Sequence, residues 1–81
     1  MFVYILYSRS IQKYYTGQTQ NLNDRLYRHN NGFVKSTRTG KPWNLIWSST
    51  VVSRSEALRL EKQIKKRGAK RYLQDINELQ H

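Results

Sequence analysis

The sequence predicts an α+β domain with its elements in the order β-β-α-β-α-α. Three observations carry the prediction. The chain opens on Phe2 to Tyr7, a run of β-branched and aromatic residues that is apolar on both alternating faces. Two helix starts follow, at Asn21 and at Ser53, and a second β-rich stretch, Trp43 to Val52, lies between them. At 81 residues the expectation is one small domain over 1–81 with a minimal core.

Taken in order, Phe2–Tyr7 reads as a strand covered on both sides. Ser8 to Lys13 is polar and turn-like, and Tyr14-Tyr15-Thr16 is a short return strand, the partner in a hairpin. Gly17 stands where the chain must bend or let another group come close. Asn21 caps a helix patterned by Leu22 and Leu26, with Tyr27 at its margin, and Asn30-Asn31-Gly32 stops it. Residues 31–42, rich in Gly, Ser, Thr and Lys, contain the only proline and read as a mobile basic loop. In the third strand, alternation puts Trp43, Leu45 and Trp47 on one face. Ser53-Arg54-Ser55-Glu56 is a capping box opening a helix that runs to about Arg67. Gly68 interrupts it, and Tyr72, Leu73 and Ile76 mark a shorter last helix.

Charge narrows the function. Fifteen Lys and Arg against five Asp and Glu give a formal +10 at neutral pH, a field that gathers anions. The cations cluster: residues 54–71 hold Arg54, Arg59, Lys62, Lys65, Lys66, Arg67, Lys70 and Arg71 against only Glu56 and Glu61. That pattern favours nucleic acid as partner. An anionic membrane would also attract the segment, but its apolar residues are committed to a core. No cysteine is present, which removes disulfides, thiolate zinc sites and a cysteine nucleophile. The longest apolar run is too short to span a bilayer, and the expected location is cytoplasmic.

Helical geometry, about 100° per residue, singles out a few polar residues. Arg25 and His29 flank the Leu22–Leu26 stripe. Two readings stay open there: Arg25 snorkels at the stripe's edge and His29 caps the helix C-terminus, or both have a chemical task. Glu61 falls within the buried stripe of Ala57, Leu60 and Ile64, where a carboxylate costs several kcal/mol unless paired or bound to a metal. Its ordinary partner would be Lys65, one turn on. Tyr4 and Tyr15 read as core by themselves, and a tyrosine base would need its phenol pKa lowered, for which Arg25 or a metal-bound water would supply nearby positive charge. The sequence has no phosphate-cradling glycine motif, no paired carboxylates and no zinc-ligand spacing.

Set together, these residues resemble the GIY-YIG nuclease domain, in order and spacing, over about seventy residues. Phe2-Val3-Tyr4 is similar to the GIY element and Tyr15-Thr16-Gly17 to the YIG element. The segment from Asn21 to His29 resembles the family helix that carries an arginine and, four residues on, a His or Tyr. Glu56 to Lys65 resembles the segment bearing the metal-binding glutamate. The resemblance is to small stand-alone bacterial members related to the N-terminal domain of the excision-repair nuclease UvrC. It implies a small three-stranded, mostly antiparallel sheet flanked by helices. It further implies a metal site for one Mg²⁺ or Mn²⁺ at Glu61, Arg25 on the scissile phosphate, Tyr4 activating water, and Tyr15 and His29 positioning water and phosphate. Lys35, Arg38 and Lys41, with Lys62, Lys65, Lys66 and Lys70, would then track the nucleic-acid backbone.

Two departures stand beside the tyrosines: Phe2 replaces the first glycine and Thr16 the central apolar residue of the second element. Asn77 lies too far along the chain to be matched to the asparagine that UvrC uses. Family nucleases carry a separate targeting domain, which this sequence lacks, so substrate choice is open. The expectation is a metal-dependent DNA endonuclease, structure-selective or weakly sequence-selective. The alternative is a non-catalytic or partner-dependent nucleic-acid-binding module of the same fold, with Trp43, Trp47 and Tyr27 as partner contacts if they are exposed.

Overall fold

β1 (Phe2–Ser8) is the middle strand of a three-stranded antiparallel sheet, with β2 (Lys13–Thr19) on one side and β3 (Asn44–Thr50) on the other. That central place explains a strand apolar on both faces. The computed structural model describes residues 1–79, and the remaining elements are α1 (Leu22–Asn30), a 3₁₀ helix over Lys35–Gly40, α2 (Arg54–Arg67) and α3 (Ala69–Leu79). The α+β class and the element order match the expectation, and β2 runs three residues past the predicted Thr16, to Thr19.

Two cores lie on opposite faces of the sheet. Val3 and Ile5 point to α2 and α3 and pack with Ala57 and Ile64, bordered by Trp47, Leu60, Tyr72 and Leu73. Tyr4 and Leu6 point the other way, toward α1, and pack with Trp43, Tyr15, Leu22 and Leu26. Each fully buried aliphatic side chain contributes about 1.5–3 kcal/mol relative to exposure.

The strand β3 departs from simple alternation. Ile5 faces Trp47 but Leu6 faces Leu45, so Ile46 is an extra residue, a β-bulge. Trp47 therefore joins the α2–α3 side, while Trp43, just ahead of the strand, joins the α1 side. The two indoles do not share a face, and Leu45 is exposed. Residues 31–42 are also more ordered than a mobile loop. The 3₁₀ helix is fastened by Trp43 Nε1, which donates to the Thr37 carbonyl at 2.7 Å, and by the Asn30 side chain, which bonds both backbone groups of Trp43.

The caps follow the sequence. The Asn21 side chain accepts from the Asp24 amide at 3.0 Å, and Ser53 Oγ accepts from the Glu56 amide at 3.2 Å. The reciprocal arm of the second box reaches one residue further back, from the Val52 amide to Glu56 Oε2. Gly68 closes α2 at φ +92°, a left-handed conformation that suits glycine.

Candidate active site

The hairpin register brings the two tyrosines together. Tyr4 faces Gly17 and Leu6 faces Tyr15, so Tyr4 and Tyr15 are diagonal neighbours on the α1 side, with ring centroids 6.3 Å apart. The Tyr4 ring lies across Gly17: a Cβ there would stand 2.5 Å from Tyr4 Oη and 2.7 Å from Cζ. Close approach, and not a bend, is what this glycine provides.

From α1, His29 enters the same pocket and is 0% exposed. It is not a helix cap. That task falls to Asn31, whose side chain donates to the Tyr27 carbonyl. His29 Nε2 lies 3.0 Å from Tyr4 Oη and Nδ1 lies 2.7 Å from Thr37 Oγ1. Thr37 in turn donates its hydroxyl hydrogen to the Val34 carbonyl at 3.3 Å. These directions assign the tautomer: Nδ1–H donates to Thr37, and the Nε2 lone pair accepts from the Tyr4 hydroxyl. Tyr4, His29 and Thr37 are all at least 98% buried, so the bonds to His29 are screened from bulk solvent while Tyr4 keeps a 2% opening. Tyr15 stacks edge-on against His29 at 4.9 Å, and its hydroxyl makes no hydrogen bond among the described residues.

Burial acts on both titratable members of the relay. It pushes the Tyr4 phenol well above its ordinary value, helped by Tyr15 and Glu61 and opposed by Arg25. Positive charge from Arg25 therefore does not produce the lowered phenol that the sequence suggested. Burial, with Arg25 beside it, also holds the His29 imidazole below its usual 6.5, hence neutral at pH 7. A sign follows for stability. Because folding depresses this pKa, the contribution of neutral His29 is fully present above the ordinary histidine value. It is lost as pH falls through the lower folded value. His29→Gln is expected to flatten that acid-side decline, checked by urea unfolding at several pH values between neutral and acid.

Arg25 is half-buried near this pocket and has no ion-pair partner among the described residues. Glu61 stands on α2, close enough for its charge to be felt at the Tyr4 phenol. Its side chain is 15% exposed, and Oε2 accepts from Lys65 Nζ at 2.9 Å. The ordinary partner named from the sequence is thus in place, but Lys65 is itself more than half exposed.

The family model for the GIY-YIG catalytic domain matches residues 1–74. The chain belongs to the GIY-YIG family. The matched region is the catalytic domain of that family. Similar bacterial proteins carry only the description UPF0213 protein. One from Staphylococcus haemolyticus is 36% identical over 78 residues, covering 95% of this chain and 94% of its own length. One from Oceanobacillus iheyensis is 40% identical over 65 residues, 79% of this chain and 74% of its own. A third, from Staphylococcus epidermidis, is 40% identical over 52 residues, and the match spans 63% of either protein's length. No solved structure gives a significant match.

GIY-YIG nucleases generally use a divalent metal, and the donor set here is spare. No three His, Cys, Asp or Glu come together among the described residues. Glu61 Oε1 makes no protein hydrogen bond among them, so one carboxylate oxygen is open. A single carboxylate completed by water and phosphate oxygens suits an ion of the Mg²⁺ type, so the residues present fit the group. The cations divide by place. Lys35, Arg38 and Lys41 are exposed around the 3₁₀ helix that holds Thr37, and Lys65 stands beside Glu61. Lys62 and Lys66 turn about 100° and 140° away from Glu61 round α2, and Lys70 is exposed at the start of α3.

Sequence reasoning found every member of the pocket except Thr37. That threonine sits in a polar stretch with no periodicity, and only the tertiary contact to His29 marks it. Of the named partner contacts, Trp43 is buried and Trp47 packs on Tyr72, leaving Tyr27 exposed beside Phe33. No helix among the described residues is long and apolar enough to cross a membrane.

Proposed function

We propose that this chain, as a single domain, is a metal-dependent endonuclease that hydrolyses DNA phosphodiester bonds, structure-selective or weakly sequence-selective. The buried Tyr4–His29–Thr37 relay beside Arg25 carries the reading. A phenol with a raised pKa does not ionise at neutral pH, but it can pass its proton on. As water attacks phosphorus, Tyr4 Oη takes a water proton while its own moves to His29 Nε2, making an imidazolium whose Nδ1–H stays on Thr37. Arg25 balances the charge that builds on the phosphate oxygens, and Tyr15 orients the water. Glu61 would hold one Mg²⁺ or Mn²⁺, and the ion would supply Lewis-acid stabilisation of developing negative charge. Lys35, Arg38, Lys41, Lys65 and Lys70 would follow the backbone, while Lys62 and Lys66 bind outside the site. The proposed location is the cytoplasm.

The test is a panel of labelled duplex, nicked, branched and single-stranded DNAs with Mg²⁺, Mn²⁺ or EDTA. Cutting is expected with metal only, and Glu61→Ala is expected to lower it by about a hundredfold, the loss of about 2.7 kcal/mol of charge stabilisation. Full cleavage by Glu61→Ala in a clean preparation would sink the mechanism. A second reading, a non-catalytic or partner-dependent binding module, is supported by Lys65, which satisfies Glu61 at 2.9 Å without any metal. No cutting by either protein, with equal salt-sensitive binding, would select it.

A further inference from the structure

A cleft of about 520 Å³ opens where the end of β2 meets the first turns of α1 and α2, a size in the range of ligand sites. Its walls include Gln18, Gln20, Asn21, Asp24, Arg25 and Arg54. Arg25 is the residue that the cleft shares with the candidate active site. Arg54 shares the Glu61 face of α2, about 20° round the helix and about 10 Å along it. No ion pair holds Arg54 among the described residues, and the one acid in the cleft, Asp24, is engaged by Arg28 at 2.9 Å. The cleft thus presents two guanidinium groups and a carboxylate already paired, a balance that suits phosphate.

Gln18 supplies the second observation. Its Oε1 is closed to solvent and accepts no hydrogen bond, the single buried side-chain atom so orphaned among the described residues. The terminal torsion of glutamine is broad, so the amide can turn into the cleft and meet a donor. The exposed edges of adenine, cytosine and guanine carry amino groups that donate; thymine carries none.

From these features we propose that the cleft is a nucleotide subsite, in which Arg54 holds the phosphate next to the cleaved one and Gln18 accepts a hydrogen bond from the amino group of an unpaired base. The assignment rests on the nuclease reading only for which phosphate is cleaved. The subsite itself makes a binding preference that can be measured with no cleavage.

The test uses fluorescence anisotropy in EDTA with labelled short single strands of oligodeoxycytidylate and oligothymidylate. Wild type is expected to bind the cytidylate about tenfold more tightly, the worth of one satisfied acceptor. Gln18→Met is expected to bring the two strands level while keeping the thymidylate affinity. Should that variant fail to fold, Gln18→Asn, which withdraws the amide by one methylene, is expected to lose the same preference. Arg54→Ala is expected to weaken both strands by about the same factor and to lower the salt slope by about 0.7. Equal binding of the two strands by wild type, or an Arg54→Ala protein with unchanged affinity and slope, overturns the subsite. Cleavage of the duplex panel scores separately. A base preference without cutting keeps the subsite and removes the nuclease, and cutting without a preference does the reverse.

Discussion

Tyr4→Phe is expected to slow metal-dependent cleavage by about 10³-fold, within the range ascribed to positioned acid–base groups. The substitution removes one oxygen from a ring that otherwise packs as before, between Gly17, Tyr15 and His29. What it deletes is the atom proposed to take a proton from water and to hand its own to His29 Nε2, 3.0 Å away. It also strands that buried nitrogen without a donor, a cost of about 1–3 kcal/mol. Both readouts therefore belong together: urea unfolding to confirm a folded population, and single-turnover cleavage on the preferred substrate. DNA affinity in EDTA is expected to stay near wild type, since the hydroxyl's proposed partner is the attacking water and not the backbone. Cleavage close to the wild-type rate would show that another group activates the water.

The largest effect on stability is expected at Gly17. An added methyl in Gly17→Ala would overlap Tyr4 Oη and Cζ and crowd Tyr15 Cε1 at 3.1 Å. Overpacking of this kind costs about 1–3 kcal/mol, and the upper end is expected because the Tyr4 ring is backed by the His29 imidazole. The usual gain from replacing a strand glycine, about 0.5–1 kcal/mol, works against that cost without cancelling it. Relief by rotation of Tyr4 would pull Oη from His29, so cleavage is expected to fall by about a hundredfold, the effect of an ångström-scale misplacement. Denaturant midpoints and cleavage rates on the same samples check both halves. An unchanged midpoint with full activity would mean the ring has room that the close contacts deny.

Much of this was legible in the residues because the signals were local. Asn21 and Ser53 announce their helices through side chains that bond an amide three residues on, and the Ala57–Ile64 stripe follows from a period. The same helical period placed Glu61 in a stripe where a carboxylate needs a reason, and the GIY-YIG resemblance then named it together with Tyr4, Tyr15, Arg25 and His29. What escaped was set by tertiary contact. Alternation cannot anticipate the inserted Ile46, which sends Trp43 and Trp47 to opposite faces. A run such as Lys35-Ser36-Thr37-Arg38-Thr39 looks like solvated loop until Trp43 and Asn30 are seen to fasten it. The phenol's pKa went the other way for a similar reason: Arg25 is visible in the sequence, whereas the depth of burial that outweighs it is not.

The bulge at Ile46 has a spectroscopic meaning as well. Each core holds one indole: Trp43 against Tyr15 on the α1 side, and Trp47 against Tyr72 on the α2–α3 side. Single-tryptophan versions of the chain would therefore emit from one layer at a time. The sheet comes with two native fluorophores, and the loosening of one face can be watched apart from the other.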